Sequence, residues 1–421
     1  MHSNGFVFAF CHASTHLCVY ASPLYKLYNL SKICYFYFTM NNKEKFSAYT
    51  DCANFPLDRP CAYQKNDNMH CPECNKYSKL SQNKIFKILI IKLGAMGDVL
   101  RTTFLLEGLK ELHPISEISW IVSKNNAQVL ENNKFIDNII INDEKILDFL
   151  TENYFNLVIN LDLAPESLAL AKLSCCKKIA GYALDNNRNI IPSNDAAKQW
   201  LSMSAYDELK KENVHTYQHW MAKITEIRRD NYEIVVPLKD TSVKKAGYFL
   251  KENNISAGKK IIGINPGAGK RWKMKKWRTD GFIALAKHFS SNGHAVLLLG
   301  GNDDIEEINA IMNEKIKNVY STGTNNSIPD FFAMINLCDI VVCGDTMALH
   351  AAAGLKKNIV ALFGPTSLAE IEVYGRGAKL QSNKECACCY KQECAVNDSC
   401  MDLISNEEVI KAVERQFTNN K

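Results

Sequence analysis

From residue 85 onward, continuous apolar segments alternate with amphipathic ones. Unbroken apolar runs are typical of strands buried on both faces of a parallel sheet, and the amphipathic stretches between them predict helices. Residues 98–112 are expected to form one such helix, ended by His113 and Pro114. The rhythm predicts an α/β fold with two doubly wound domains. The predicted strands are KILII, SEISWIVS, FIDNIIIN, FNLVINLD, KKIAGY, KIIGIN, HAVLLLG, NVYS, DIVVCG and NIVALFG.

Two strand–turn–helix units stand out, at residues 87–103 (KILIIKLGAMGDVLRTT) and 340–367 (IVVCGDTMALHAAAGLKKNIVALFGPTS). In such a unit, backbone N–H groups and a helix N-terminus can bind an anion. Each turn also carries one aspartate, Asp98 and Asp345. We therefore expect two facing domains with a cleft between them.

The pattern divides the chain into five parts. Residues 1–39 are aromatic-rich, without a sustained period, and make a poor signal peptide. We expect this extension to be non-native or disordered, with translation starting at Met40; a weak membrane-surface anchor is the alternative. The other parts are a cysteine-bearing leader (40–84), an N-terminal domain (85–240), a C-terminal domain (241–404) and a terminal helix crossing back onto the first domain (405–421). Within the N-terminal domain, residues 183–213 lose the rhythm. A long irregular insertion here predicts a segment that binds a ligand on this side of the cleft, the side we assign to the acceptor; a disordered surface loop is the alternative.

The composition argues against a nucleic-acid-binding protein and against a membrane-spanning one. With 47% hydrophobic and 23% charged residues, the chain of 421 residues is typical of a globular protein. Its net charge of +5 is too mild to indicate a nucleic-acid partner. No apolar run approaches the roughly 18 residues of a membrane span.

Sixteen cysteines are concentrated at two places. In a reduced chain, a Cys-x-x-Cys with two more thiols nearby suggests a structural metal site, with zinc as the first expectation; an iron–sulfur cluster would use the same ligands. His70 competes as a ligand in the first set, and Cys388 is spare in the second, where a local disulfide or free thiols are the alternative. Cys338 and Cys343 are expected to be small apolar core residues. The two sets are Cys52, Cys61, Cys71 and Cys74, and Cys386, Cys389, Cys394 and Cys400.

The turn NPGAGKRWKMKKW joins a strand end, two glycines and a basic run. It fits either a nucleic-acid patch with stacking tryptophans or a diphosphate site built from Gly267, Lys270 and backbone. The mild net charge favours the diphosphate, and we expect most of the other lysines to face solvent.

The second turn places Thr346 and His350 on one helical face, four residues apart, beside Asp345. The alternative is that Asp345 is a helix cap and His350 a core histidine. Convergence with the following GPTS turn at the carboxyl end of a parallel sheet favours a ligand site. Asp98 is either a cap or a cleft-facing carboxylate able to remove a proton from a hydroxyl.

In this order, KLGAMGDVLRTT, NPGAGKRW…KKW, LGGNDD, GDTMALHAAAG, FGPTS and CxxCY…C…CM resemble glycosyltransferase family 9, the bacterial lipopolysaccharide heptosyltransferases. The resemblance covers residues 85–417, and the leader CANFPLDRPC…CPEC is similar to one that some members carry. It implies a GT-B fold with two Rossmann-like domains, and inverting transfer of a heptose from a nucleotide diphosphate, usually ADP-heptose. The implied acceptor is a lipopolysaccharide core, reached by a cytoplasmic protein that contacts the inner membrane peripherally. No cofactor is implied for catalysis.

The resemblance also implies roles for single residues. Asp98 matches the general base, Lys270 the lysine on the donor phosphates and Asp345 the carboxylate on the donor sugar. Thr346 and His350 would flank the diphosphate, with Asp304 near the nucleoside. Further donor-side residues are Gly267, Gly364 and Thr366, and the acceptor-side residues are Gly97, Arg101 and Thr102.

Two departures from the family pattern put donor and acceptor identity in question. Met347-Ala348 stands in place of Gly-Leu, and Arg101-Thr102-Thr103 stands in the first helix where other members have a His-Thr sequence. The alternatives are a GT-B-like nucleotide-sugar epimerase and a non-catalytic module that binds nucleotide sugar or metal.

Overall fold

The computed structural model describes residues 46–56, 58–79, 85–256, 258–269, 272–396 and 398–418. The extension 1–39, the expected start at Met40 and the predicted phosphate ligand Lys270 lie outside these residues. The chain forms two compact units, Met1–Lys84 and Ile85–Lys421. Among the described residues, no helix is long and apolar enough to cross a membrane.

The leader unit contains the helix α1 (Ala62–Asp67) and a 3₁₀ turn at Cys71–Glu73. Cys52 forms an isolated antiparallel bridge with Lys79. Among the described residues of this unit, Cys52 alone is buried.

The first half of the larger unit is built on a six-stranded sheet in the order β3-β2-β1-β4-β5-β6, parallel except for the edge strand β6. Its strands are β1 (Phe86–Ile91), β2 (Ser116–Val122), β3 (Asn138–Ile141), β4 (Tyr154–Asn160), β5 (Cys175–Leu184) and β6 (Ile190–Pro192). Its helices are α2 (Met96–Thr102), α3 (Leu105–Leu112), α4 (Ile146–Glu152), α5 (Pro165–Leu173), α6 (Asp195–Ala205), α7 (Asp207–Glu212) and α8 (Tyr217–Thr225).

Two predictions were wrong in this half. Residues 98–112 form two helices, because the Thr103 hydroxyl donates to the Leu100 carbonyl (2.7 Å) and accepts from the Val235 N–H (2.9 Å). Residues 183–213, predicted to be irregular, contain β6, α6 and α7. The Asn194 side chain caps α6 by accepting from the Ala197 N–H at 2.9 Å, which is a local signal for a helix start.

The second half has a parallel sheet of six strands in the order β12-β11-β10-β7-β8-β9. Its strands are β7 (Ile261–Asn265), β8 (Ala295–Leu298), β9 (Val319–Ser321), β10 (Ile340–Gly344), β11 (Asn358–Phe363) and β12 (Gly377–Gln381). Its helices are α9 (Asp240–Glu252), α10 (Thr279–Ser291), α11 (Ile305–Asn313), α12 (Ile328–Leu337), α13 (Met347–Gly354) and α14 (Asn406–Thr418).

We predicted that the terminal helix would cross back onto the first domain; instead, the described part of α14 packs on the second sheet. Its apolar face, with Val409 and Val413 fully buried, belongs to the core of the second sheet. A capping box holds its start: the Ser405 hydroxyl accepts from the Glu408 N–H (3.3 Å), and the Glu408 carboxylate accepts from the Ser405 N–H (2.9 Å).

Both sheets reverse their winding at a central pair of strands, β1 with β4 and β7 with β10. In open α/β sheets, ligands bind outside the carboxyl ends of the strands at this switch point. Helix α2 follows β1, helix α13 follows β10, and the two helices meet: a Cβ on Gly97 would lie 3.5 Å from the Met347 Cα. The fold thus brings the two turns singled out in the sequence face to face.

Candidate active site

A cavity of about 920 Å³ lies between the two sheets, lined by the turns that follow their central strands. Most of the residues predicted for the site meet here. Those lining the cavity are Gly97, Asp98, Arg101, Gly267, Asp304, Asp345, Thr346, His350 and Thr366.

On the first domain, Asp98 is the third residue of α2, whose cap position is Ala95. Its Oδ1 pairs with Arg101 Nη2 at 2.8 Å, and its side chain is 36% exposed. Burial alone would raise the pKa of Asp98, but Arg101, Lys92 and His350 together lower it to about 2. Arg101 is itself held over the Tyr217 ring, 3.9 Å from the centroid. Asp98 is thus an ionised, partly accessible carboxylate facing the cavity.

On the second domain, Asp345 precedes the cap residue Thr346 of α13. Its Oδ2 pairs with Lys275 Nζ at 2.6 Å, with the two side chains only 14% and 15% exposed. Burial would raise the pKa of Asp345, but Lys275 and His350 lower it. Lys275 also reaches the Asp345 carbonyl (3.3 Å), so the lysine fixes the whole turn.

The N-terminus of α13 opens into the cavity through Met347 and Ala348. The first N–H groups of a helix lack intrahelical partners, and no side chain caps this end. The Thr346 hydroxyl donates instead to Asn265 Oδ1 at 3.1 Å. Because these donors are backbone N–H groups, Met-Ala in place of Gly-Leu leaves them available at the cavity.

His350 is 6% exposed and packs against Gly97, where a Cβ would lie 3.2 Å from His350 Cδ2. Burial and the nearby Arg101 lower the pKa of His350 to about 4, although Asp345 and Asp98 act to raise it. At neutral pH the ring is therefore uncharged.

The opposite wall is formed by the turns after β7 and β8. Asp304 Oδ2 accepts from the Gly301 N–H at 2.9 Å, while Oδ1 has no hydrogen-bond partner among the described residues. Burial raises the pKa of Asp304. A Cβ on Gly267 would lie 1.6 Å from Asp304 Oδ1, so only glycine allows this approach of carboxylate and backbone. The Asp304 carboxyl thus lies in the wall of the cavity, with Oδ1 packed against Gly267 and Oδ2 bound to the Gly301 N–H.

Two predicted residues lie elsewhere. Thr102 is fully buried, and its hydroxyl shares a hydrogen bond of 2.7 Å with the Tyr217 hydroxyl. Gly364 is covered by Met401 and Cys400: a Cβ on Gly364 would lie 2.7 Å from Met401 Cγ and 2.8 Å from Cys400 Sγ. Neither residue lines the cavity, and neither does any residue of the insertion 183–213.

The basic run differs from the expectation that its lysines face solvent. Lys275 lies in the cavity, Lys276 pairs with Glu307, and Trp277 is a core residue whose Nε1 donates to the Ile404 carbonyl (3.0 Å). Trp272 lines the cavity.

Several polar cavity residues were missed by sequence reasoning, among them Lys92, Asp162, Glu370 and Tyr390. Lys92, at the end of β1, pairs with Asp162, which follows β4. Their positions after adjacent parallel strands were the available signal for this pair. Glu370 and Tyr390 meet only through the folding of the C-terminal loop, for which the sequence carries no comparable signal.

Both cysteine sets are partly assembled. Cys52, Cys61, Cys71, Cys74 and His70 line one cavity of about 410 Å³ in the leader unit. The pKa of Cys400 is raised by burial and by Cys389, Cys386 and Cys394, so these four thiols are near one another. Every cysteine in the described part of the chain is a free thiol. Within the described residues, no group of three or more His, Cys, Asp or Glu is arranged as a metal site. Cys338 and Cys343 are buried, as predicted.

Comparison with known proteins agrees with this geometry. The profile of glycosyltransferase family 9 (heptosyltransferase) matches residues 146–399. Lipooligosaccharide heptosyltransferase 2 of Campylobacter jejuni (strain 81116) is 27% identical over 216 residues, which is 49% of this chain and 67% of that protein.

Solved structures share the fold. The family 9 glycosyltransferase of Veillonella parvula superimposes with a TM-score of 0.68 at 20% identity, over 80% of this chain and 98% of that one. Escherichia coli ADP-heptose LPS heptosyltransferase II gives a TM-score of 0.57 at 16% identity, over 79% and 99%. The predicted GT-B fold with two Rossmann-like domains is confirmed.

Proposed function

The chain belongs to glycosyltransferase family 9, and on that premise we propose that it moves a heptose from ADP-heptose to a lipopolysaccharide core acceptor. The chain is a glycosyltransferase. The named relatives support the sugar and the acceptor class, because one is a lipooligosaccharide heptosyltransferase and the other an ADP-heptose LPS heptosyltransferase. The observation that carries the proposal is an ionised carboxylate, Asp98, facing a helix N-terminus across one cavity.

The proposed reaction is a single displacement with inversion at the anomeric carbon. The acceptor oxygen bonds to that carbon as the bond from the carbon to the diphosphate oxygen breaks, and ADP leaves with the electron pair. Asp98 accepts the proton of the acceptor hydroxyl. Arg101 keeps Asp98 ionised before reaction, and its 2.8 Å contact must loosen as the carboxylate takes the proton.

The departing diphosphate needs positive charge or N–H donors. The N-terminus of α13 at Met347 and Ala348 supplies backbone donors, and neutral His350 supplies a ring N–H. Each preorganised donor to a developing anion typically contributes about 10²–10³ in rate. Lys275 anchors Asp345 for the donor sugar, and Lys270 stays the predicted phosphate ligand. These groups suffice in our scheme without a metal or other cofactor in the chemical step.

Nucleotide recognition is proposed for the wall formed by Gly267 and Asp304. Both residues line the cavity beside the turns after β7 and β8, and Asp304 would approach the nucleoside there. Thr366 lines the same cavity and is proposed as a second residue on the donor side. Structural zinc or iron–sulfur at either cysteine set stays a prediction.

We place the protein on the cytoplasmic side of the inner membrane, in peripheral contact with it. The supporting argument is chemical: a lipid-linked acceptor stays at the membrane surface, whereas the donor is a water-soluble nucleotide. Neither a nucleic acid nor a second protein is needed.

The test is a donor and acceptor screen followed by mass spectrometry of the product. We expect ADP release from ADP-heptose only when a deacylated core oligosaccharide is present, with the product heavier by one heptose. Conversion of a nucleotide sugar to its epimer without any acceptor would instead establish the epimerase alternative. Donor binding with no turnover of any pair would establish the non-catalytic module.

A further inference from the structure

The cleft has two ends, set by strand order. The turns after β8 and β11 lie on opposite sides of the central pair β7 and β10. Asp304, proposed for the nucleoside, follows β8, whereas Glu370 follows β11, and both line the cavity. Glu370 therefore lies at the end away from the nucleoside.

The Glu370 side chain is held in place. Tyr390 Oη donates to Glu370 Oε1 at 3.1 Å and accepts from the Ser367 N–H at 3.3 Å. From the first domain, the Tyr217 N–H donates to the Glu370 carbonyl at 2.9 Å. Lys210 Nζ lies 4.5 Å from the centre of the Tyr390 ring. Glu370 is thus fixed where the two domains meet.

Glu370 also lies on the side of the cleft that holds the base. Burial raises the pKa of Glu370, and Arg101, the partner of Asp98, is close enough to lower it. Yet no ion pair within 4.0 Å joins Arg101 to Glu370 in the described part of the chain. The space between them is part of the cavity, next to the carboxylate that receives the acceptor proton.

The charges around this space are unfavourable to an anion. Asp98, Asp345 and Glu370 are three carboxyl groups on one cavity. The lysines and the arginine among the described cavity residues are already paired: Arg101 with Asp98, Lys275 with Asp345 and Lys92 with Asp162. An acidic sugar would add like charge here, whereas sugar hydroxyls can donate to a carboxylate.

We propose that Glu370, positioned by Tyr390, binds hydroxyl groups of a neutral sugar residue of the acceptor and discriminates against an acidic sugar at that place. This deepens the proposed function and rests on it. Glu370 would be a specificity determinant, with no part in proton transfer.

The experiment measures acceptor binding by calorimetry in the presence of ADP, so that no turnover is needed. The probes are two deacylated oligosaccharides, one ending in a neutral heptose and one ending in an ulosonic acid. We expect wild type to bind the first more tightly. Glu370→Gln should weaken that binding about tenfold to a hundredfold, the range for a hydrogen bond to a charged group. The ratio of the two affinities, neutral probe over acidic probe, should also become smaller.

Two further variants sharpen the result. Tyr390→Phe keeps the charge and removes the positioning hydroxyl, so it should weaken neutral-acceptor binding less and keep the preference. Glu372→Gln is the matched control, because Glu372 accepts from the Tyr374 N–H (2.6 Å) and does not line the cavity. ADP affinity should be the same in all four proteins.

Equal binding of both probes by wild type, tighter binding of the acidic probe, or unchanged binding in Glu370→Gln would each overturn the inference. Failure of the proposed function is a separate observation: wild type would release no ADP from ADP-heptose, whatever the two probes show.

Discussion

Asp98 and Asp345 occupy equivalent turns on the two sheets, and each is paired with one cation, but the two pairs are built differently. Asp98 and Arg101 are three residues apart on one helix, and Asp98 is 36% exposed. Asp345 and Lys275 are 70 residues apart, and both are nearly buried. The first pair is local, with Arg101 14% exposed and only Asp98 open to the cavity, whereas the second ties two loops together.

The difference indicates that the two pairs have different roles, one in the proposed chemistry and one in holding the structure. A partly exposed pair contributes little to stability, typically about 0–1 kcal/mol, so Asp98 is free to serve chemistry. Removing one partner of a buried pair leaves an uncompensated charge. Asp345 is therefore expected to stabilise the conformation of the turn between β10 and α13.

The largest effect is expected for Asp98→Asn. Loss of a general base costs about 10²–10⁴ in rate, so kcat should fall by that factor while the free energy of unfolding changes by less than about 1 kcal/mol. Steady-state ADP release and urea unfolding measure the two quantities. Glu107→Gln, an exposed carboxylate on the adjacent helix α3, is the control and should match wild type.

Next in size is Asp345→Asn, which should lower the free energy of unfolding by about 3–5 kcal/mol because Lys275 stays buried without its partner. Urea unfolding measures it. The double variant Asp345→Leu with Lys275→Met should recover much of the loss. Equal stability of Asp345→Asn and Asp98→Asn would remove the contrast between the two turns.

Gly267→Ala tests the nucleotide wall. The added Cβ would meet Asp304 Oδ1 at 1.6 Å, so the carboxylate must move. Such overpacking typically costs about 1–3 kcal/mol, and we expect ADP to bind about tenfold more weakly in calorimetry. Gly247→Ala, on α9 with no neighbour within 4 Å of the new Cβ, should bind ADP normally.

The smallest effect concerns pH. The pKa of Asp98 is about 2, so the carboxylate is ionised above that value and loses function only as pH falls through it. In Arg101→Leu, Asp98 stays buried but loses a neighbouring cation, so the pKa of Asp98 must rise. The fall of kcat/KM on the acidic side of its pH profile should therefore move to higher pH, into the range in which activity can be assayed. Arg101→Lys keeps a cation beside Asp98, so the fall of kcat/KM should stay at low pH. An unchanged acidic side of the pH profile in Arg101→Leu would mean that Asp98 is not the titrating base.

The sequence predicted those parts that local pattern specifies. Unbroken apolar runs such as KILII predict buried parallel strands, and the turns after β1 and β10 predict where a ligand lies, because carboxyl ends of parallel strands share one edge. What it missed depends on distant partners. Thr103 ends α2 through Val235, and Lys275 meets Asp345 only after folding. Gly364 was misplaced because Cys400 and Met401 cover it, which spacing does not reveal.

The most direct test of the central claim compares the two aspartate variants at saturating donor. ADP affinity is measured by calorimetry, and the single-turnover rate of heptose transfer by rapid quench. The account predicts that Asp98→Asn binds ADP like wild type but transfers heptose at least about a hundredfold more slowly, while Asp345→Asn loses ADP affinity. An Asp98→Asn protein that binds ADP weakly yet transfers heptose at the wild-type rate would contradict it.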